Sequence, residues 1–247
     1  MRLTVVGCSG SIPSQFSPAS CYLLEAEGFR LVVDMGSGAL GALQRYVSLP
    51  EVDAVALSHL HADHFIDMCS FWVARTYLYS AQGVLPVPVY GPADAAARVS
   101  RANDDPDVTG TFDFVTLVPG CRQIGPFTVT VGHVAHPVET FAFRFEHGGK
   151  VLTYSGDTGE SAVLTELARS ADILLCEAGF PELPDLPPGL HLSGRQAGQH
   201  AAAAGAKRLV LTHLAPDNDP ALSLAGAQET FSGPISLAAP GRVLELD

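Results

Sequence analysis

Residues 59–64 place four potential metal-binding side chains in one short segment. The segment directly follows the apolar run 52–58 and reads His59-Leu60-His61-Ala62-Asp63-His64. Imidazole nitrogens and carboxylate oxygens are the donors that hold Zn²⁺, Mn²⁺ or Fe²⁺ in proteins. These four donors are too close together in the chain for one ion to bind them all. The segment therefore predicts two adjacent metal ions just beyond the end of a strand.

Three further donors each follow a segment that is predicted to be a strand. They are His136, Asp157 and His213. Taken alone, any one of them is more typical of an ordinary turn or capping residue. Functional side chains are often carried on loops that a rigid scaffold positions, so the whole set favours one shared site at the carboxyl ends of several strands.

The order of these donors resembles the metal signature of the metallo-β-lactamase superfamily, and the resemblance covers nearly the whole chain. It implies two metal ions held by two sets of three side chains and one bridging residue: His59, His61 and His136; Asp63, His64 and His213; and Asp157 as the bridge. In this superfamily an aspartate at the bridging position, instead of a cysteine, marks the branch that hydrolyses phosphodiesters and other non-lactam substrates. The ions expected are Zn²⁺, with Mn²⁺ or Fe²⁺ as alternatives.

Three other positions extend the resemblance. Asp34, which precedes Met35-Gly36, resembles the carboxylate that orients the ligand loop by hydrogen bonds; the alternative is a plain turn residue at a strand end. Glu177 and the later His191-Leu192-Ser193 resemble the Glu and His-Leu-Ser/Thr pair of the phosphodiesterase branch, in which the histidine reaches the scissile phosphate. The alternative for His191 is a residue that only packs beside a helix capped by Ser193.

The resemblance also implies a mechanism. Two cations would polarise the phosphoryl oxygens and acidify a nucleophilic water. His191, charged and paired with Glu177, would stabilise the phosphoryl charge or protonate the departing alkoxide. Asp63 is expected to assist the nucleophile as well.

Charge and chain length bear on the size of the substrate. The chain has 14 Lys and Arg against 26 Asp and Glu, a net charge of −12, and has no basic cluster that would grip a polynucleotide. RNase Z proteins of the usual bacterial form carry a long arm between the third and fourth metal motifs, but only twenty residues separate His136 from Asp157 here. Large nucleic acids are therefore disfavoured as partners.

The full-length resemblance is instead to the atypical class II cyclic-AMP phosphodiesterases. It implies a small phosphodiester substrate, with 3′,5′-cyclic AMP first. Two alternatives stay open, namely an RNase Z-like tRNA 3′-processing endoribonuclease and another hydrolase of the same fold that acts on thioesters or lactones.

The composition predicts one catalytic domain over residues 1–247, with no linker. The amino terminus begins as a strand without signal-peptide features, and no stretch approaches membrane-spanning length. The cysteines are five in number and form no C-x-x-C pair, so reduced thiols and a cytoplasmic location are expected.

The elements that must position these residues follow from the hydrophobic pattern. Strands are predicted near 2–7, 20–26, 29–34, 53–58, 87–90, 112–118, 127–134, 140–146, 150–155, 172–176, 207–211 and 234–246. Helices are predicted near 38–47, 64–79, 92–102, 160–170, 193–204 and 220–231. The pattern indicates two stacked sheets with helices outside. The resemblance implies the four-layer αββα sandwich of the metallo-β-lactamase fold, with the metals at one edge between the sheets.

Aromatic side chains follow the ligand loop on the predicted helix 64–79. They are Phe71, Trp72, Tyr77 and Tyr79. Their spacing favours a buried helix face or a dimer interface over a wall that stacks a nucleobase. Because related phosphodiesterases pair through the helices beside the active site, a homodimer is expected.

Overall fold

The computed structural model describes residues 1–79, 83, 85–105 and 108–246. Its strands, in chain order, are β1 Arg2–Gly7, β2 Cys21–Ala26, β3 Phe29–Val33, β4 Ala54–Ala56, β5 Val87–Gly91, β6 Phe112–Thr116, β7 Gly120–Ile124, β8 Phe127–His133, β9 Phe141–His147, β10 Lys150–Tyr154, β11 Ile173–Glu177, β12 Leu209–Thr212, β13 Ile235–Leu237 and β14 Val243–Glu245. Its α-helices are α1 Ala39–Leu43, α2 Ala62–Phe65, α3 Met68–Val73, α4 Ala95–Asn103, α5 Ala162–Leu167, α6 Gly194–Ala204 and α7 Pro220–Thr230.

The strands form two sheets of seven strands each. The first has the order β14-β1-β2-β3-β4-β5-β6, and the second has the order β13-β12-β11-β10-β9-β8-β7. Three hydrophobic clusters fill the space between successive layers. One lies between the first sheet and α1, α3 and α4, one between the two sheets, and one between the second sheet and α5, α6 and α7. This confirms the predicted αββα sandwich.

Alternation along β9 shows how the sequence builds the central layer. Phe141, Phe143 and Phe145 are buried between the two sheets, whereas Arg144 faces the other way and donates to the Leu167 carbonyl of α5. Side chains two residues apart share one face of a strand, so these rings form a continuous apolar ridge. Burying each ring contributes about 1.5–3 kcal/mol.

The strand directions bring all candidate ligands to one edge. In the first sheet β3 and β4 are parallel. In the second sheet β10, β11 and β12 are parallel, and β8 shares their direction because both β8 and β10 pair antiparallel with β9. The carboxyl ends of these strands therefore meet where the loops between the sheets converge.

A short hairpin fills the chain between two of the metal motifs. Strands β9 and β10 pair with His147 opposite Lys150, joined by Gly148 and Gly149. Both glycines have positive φ, 58° and 75°, which a two-residue hairpin turn of this kind requires. The described residues leave no room for a long arm at this point in the chain.

Three element predictions were wrong. The predicted strand 234–246 is two strands, since β13 pairs with β12 in the second sheet and β14 pairs with β1 in the first. Strand β7 was not predicted. The predicted helix 64–79 is divided into α2, α3 and a π-helical turn, Ala74–Leu78. Asp67 lies between α2 and α3, and its carboxylate accepts from the Leu40 N–H.

The aromatic side chains of this region separate into two groups. Phe71 and Trp72 are buried in the cluster beneath α3, with Trp72 only 6% exposed, and Tyr79 packs against the same cluster. Tyr77 and Leu78 are 66% and 67% exposed. Trp72 therefore belongs to the core of the chain, whereas Tyr77 and Leu78 lie on its surface.

The cysteines in the described part of the chain are free thiols, as expected. Cys21 and Cys176 are buried, while Cys121 is exposed. None of the described helices combines the length and apolar character needed to cross a membrane.

Candidate metal centre

The ligand loop begins where β4 ends and enters α2. His59 and His64 are fully buried, whereas His61 is half-buried at the start of the helix. Donors that are close in sequence are nevertheless divided between two neighbouring groups.

The first group collects side chains from three loops, which follow β4, β8 and β10. Its ligand atoms come from His59, His61, His136 and Asp157. His61 Nδ1 lies 3.2 Å from His59 Nε2 and 3.2 Å from His136 Nε2. Asp157 Oδ2 lies 3.6 Å from His59 Nε2. Four donor atoms thus face one small volume.

The second group lies on the other side of Asp157. Its ligand atoms come from Asp63, His64, Asp157 and His213. His64 Nε2 lies 3.2 Å from His213 Nε2 and 3.1 Å from Asp157 Oδ1. His213 Nε2 lies 3.1 Å from Asp63 Oδ2. The two oxygens of Asp157 therefore face different groups.

Both groups have the spacing that a tetrahedral ion needs. Donors placed about 2.0–2.1 Å from one tetrahedral ion lie about 3.3 Å from each other. The distances given above, 3.1–3.6 Å, are close to this value. Asp157 Oδ1 is buried without a hydrogen-bond donor among the described residues. A buried acceptor without a donor is costly unless a cation or water satisfies it. The residues present therefore fit divalent metal ions.

Hydrogen bonds on the far side of three imidazoles orient them toward these groups. His64 Nδ1 donates to Asp34 at 2.8 Å, and His136 Nδ1 donates to the Leu190 carbonyl at 2.8 Å. His59 Nδ1 lies 3.1 Å from the Ser58 hydroxyl, whose own proton goes to Asp34. When each ring is in its neutral form, Nε2 has a lone pair for a metal, because the partner behind the ring holds the proton on Nδ1.

Asp34 is the centre of a buried hydrogen-bond network behind the ligands. Its carboxylate accepts from the Ser58 N–H at 2.7 Å and from the Ser58 hydroxyl, His64 Nδ1 and the Tyr154 hydroxyl at 2.8 Å each. The backbone of Asp34 is left-handed, with φ of 57°. Asp34, which is expected to orient the ligand loop, thus contacts that loop directly through Ser58 and His64.

The electrostatics of the second group favour positive charge. Burial lowers the pKa of His64, but the charges of Asp157 and Asp34 outweigh it, so the pKa is raised well above its usual value. Burial raises the pKa of Asp63, but hydrogen bonds and charges of His213 and His64 reverse this and hold the pKa below its usual value. The Asp63 carboxylate therefore stays ionised although it is buried, which suits a bound cation.

A second histidine–carboxylate pair lies beside the ligand groups. His191 Nδ1 bonds to Glu177 Oε1 at 2.9 Å and lies 4.0 Å from Asp157 Oδ2. Its ring centroid is 5.5 Å from that of His136 and 5.4 Å from that of His213. Burial lowers the pKa of His191, but the hydrogen bond and charge of Glu177 outweigh it and raise the pKa to about 9. His191 thus borders both groups.

Sequence reasoning missed several contacts that shape the site. Ser58 and Tyr154 bond to Asp34, and the carbonyl of Leu190 orients His136. Ser11, in the glycine-containing loop after β1, donates its N–H to His213 Nε2 at 3.4 Å. The sequence gives only one indication of these contacts: Ser58 and Leu190 are next to the predicted site residues His59 and His191.

Comparisons with known proteins place this geometry in a family. Residues 30–214 match the family described as the beta-lactamase superfamily domain. The Mycobacterium leprae protein ML1173 is 41% identical over 254 residues, which cover 100% of this chain and 89% of that protein.

Solved structures agree with the sequence matches. The probable metallo-hydrolase YhfI of Bacillus subtilis is 30% identical over 246 residues, covering 99% of this chain and 100% of that protein. Its crystal structure, described as a metallo-beta-lactamase fold protein, aligns with a TM-score of 0.90 at 31% identity, covering 99% of each chain. The short form of human tRNase Z aligns with a TM-score of 0.81 over 100% of each chain, but at 21% identity this shows the fold alone.

Proposed function

The chain belongs to the metallo-β-lactamase superfamily, and from that premise we propose that it is a phosphodiesterase with two divalent metal ions. Its preferred substrate is a small phosphodiester, with 3′,5′-cyclic AMP first. The observation that carries the proposal is the His191–Glu177 pair beside Asp157. The two four-donor metal groups are complete without this pair, so it is available for another role. Such a pair suits the transfer of a proton, or the stabilisation of charge, at a phosphate.

The number and the identity of the metal ions are part of the proposal. Seven side chains supply two four-donor groups that share Asp157. Imidazole and carboxylate donors suit Zn²⁺, and Mn²⁺ or Fe²⁺ fit the same set. When bound, two such ions supply Lewis-acid polarisation of the phosphoryl group and lower the pKa of a nucleophilic water.

The protein's own residues supply position and proton transfer. Glu177 is fully buried and accepts from the N–H groups of Thr158 and Gly179, at 2.8 Å each, as well as from His191. Held through Nδ1, His191 has Nε2 available for a phosphoryl or leaving-group oxygen. We expect Asp63, in the second group, to assist the nucleophile by accepting a hydrogen bond from it.

Two features favour a small substrate over tRNA. The chain between His136 and Asp157 is occupied by the short β9–β10 hairpin, so it has no space for an RNA-gripping arm. The net charge of −12 opposes binding of a long polyanion. A cyclic nucleotide carries a single phosphodiester charge, which two cations can neutralise locally.

A side-by-side assay of the metal-loaded protein tests the proposal. We expect hydrolysis of cyclic AMP and of a chromogenic bis-aryl phosphate, and little or no cleavage of a tRNA precursor. Cyclic GMP in the same series reports base preference. Efficient cleavage of the tRNA precursor would favour the endoribonuclease alternative, and activity only on thioesters or lactones would refute the phosphodiesterase assignment.

A further inference from the structure

Gly159 lies where two backbone segments of the site meet. Its N–H donates to the Ala135 carbonyl at 2.8 Å, in the segment that leads directly to His136. A Cβ added at Gly159 would lie 2.6 Å from the nitrogen of Gly189, 2.7 Å from its Cα and 3.1 Å from the nitrogen of Leu190. Only the absence of a side chain lets these backbones approach so closely.

The segment 189–191 that touches Gly159 has two separate contacts with the site. The Leu190 carbonyl accepts from His136 Nδ1 at 2.8 Å, which orients a metal ligand. The next residue, His191, bonds through Nδ1 to Glu177 at 2.9 Å. A displacement of this one piece of backbone would therefore disturb a metal ligand and the phosphate-side histidine together.

We propose that Gly159 is a positioning residue for both His136 and His191. Its missing side chain seats segment 189–191 so that Leu190 and His191 reach their partners, His136 and Glu177, at the same time. The part that concerns His191 rests on the proposed phosphodiesterase function. The part that concerns His136 rests on the ligand geometry alone.

Space, and not backbone conformation, is what requires glycine at this position. Gly159 is not among the residues with positive φ, so an alanine could adopt its backbone conformation. The added Cβ would have to retreat, or push segment 189–191 away, by about 0.8 Å, which is the difference between 2.6 Å and the 3.4 Å at which ordinary contact begins. Misplacement of a reacting group by about 1 Å can reduce a rate by 10²-fold.

The test compares Gly159→Ala with Gly41→Ala, a control at a helical glycine whose added Cβ would meet nothing within 4 Å. Metal-free protein is titrated with Co²⁺, which reports affinity and, through its visible absorption, ligand geometry. Hydrolysis of a bis-aryl phosphate gives kcat and KM. For Gly159→Ala we expect Co²⁺ affinity to fall 10–100-fold, the absorption spectrum to change, and kcat to fall by about 10²-fold with KM nearly unchanged. Gly41→Ala should match the wild type throughout.

The proposal is overturned if folded Gly159→Ala keeps wild-type Co²⁺ affinity, spectrum and kcat. If that variant does not fold, Gly189→Ala replaces it, because its φ of 70° strains an alanine although nothing lies within 4 Å of the added Cβ. That variant should show the same joint loss, and retention of both properties would again refute the proposal. If the wild type binds Co²⁺ but hydrolyses no phosphodiester, the proposed function fails, while the titration still decides the role toward His136.

Discussion

Replacing His191 with alanine should separate phosphate chemistry from metal binding. The imidazole donates one of three hydrogen bonds to Glu177, and the N–H groups of Thr158 and Gly179 still hold the carboxylate after its removal. Loss of one hydrogen bond to a charged group costs about 1.5–3 kcal/mol. We therefore expect the variant to fold and to bind the same number of metal ions as the wild type.

The expected effect on catalysis is much larger. Loss of a positioned acid slows a reaction by roughly 10²- to 10⁴-fold, equivalent to about 3–5.5 kcal/mol in the barrier. Hydrolysis of cyclic AMP, which releases an alkoxide that needs a proton, should show this loss in full. Hydrolysis of a bis-nitrophenyl phosphate should slow less, because nitrophenolate departs without a proton.

The assay compares both substrates with His191→Ala and with His147→Ala. His147 is a matched control because it ends β9 away from the site, with Nδ1 bonded to the Pro126 carbonyl. The control should keep wild-type rates. Equal slowing of both substrates by His191→Ala would mean that His191 stabilises phosphoryl charge without donating a proton. If neither substrate slows, His191 is structural and the phosphodiesterase assignment is refuted.

Three further predictions concern the ligand network, the core and assembly. Asp34→Asn should weaken Zn²⁺ binding roughly 10–100-fold, measured by chelator competition. An amide keeps only one of the two acceptor oxygens that Ser58, His64 and Tyr154 share, and it lacks the negative charge. Unchanged affinity would exclude this role. Phe143→Ala should lower the free energy of unfolding by about 3–5 kcal/mol in urea titration, since the ring is fully buried between the sheets; a loss below about 1 kcal/mol would contradict the packing described. We expect a homodimer in light scattering, and Tyr77→Asp should shift it toward monomer because that side chain is exposed; a wild-type monomer at micromolar concentration would dismiss the dimer.

The sequence was sufficient to predict the layers and the strand ends that carry the candidate ligands. His136, Asp157 and His213 each follow an apolar run, and these runs form β8, β10 and β12. Such patterns are local, so they can be read without knowing the fold. The contacts behind the ligands cannot, because the Tyr154 hydroxyl meets Asp34 across 120 residues of chain.

The wrong element boundaries have similar causes. The apolar run 234–246 is interrupted at Gly241, whose φ of 83° turns the chain from one sheet to the other. Strand β7, Gly120–Ile124, has little β-branched character and owes its conformation to pairing with β8. In both cases the neighbouring strand decides the structure, and the local pattern does not reveal that neighbour.

The most direct test of a dinuclear phosphodiesterase centre is a titration of metal-free protein with Zn²⁺, or with Mn²⁺, followed by hydrolysis of a bis-aryl phosphate. Two ligand groups that share Asp157 predict that activity rises and saturates at two ions per chain. Saturation at one ion, or absence of hydrolysis with two ions bound, would contradict the account.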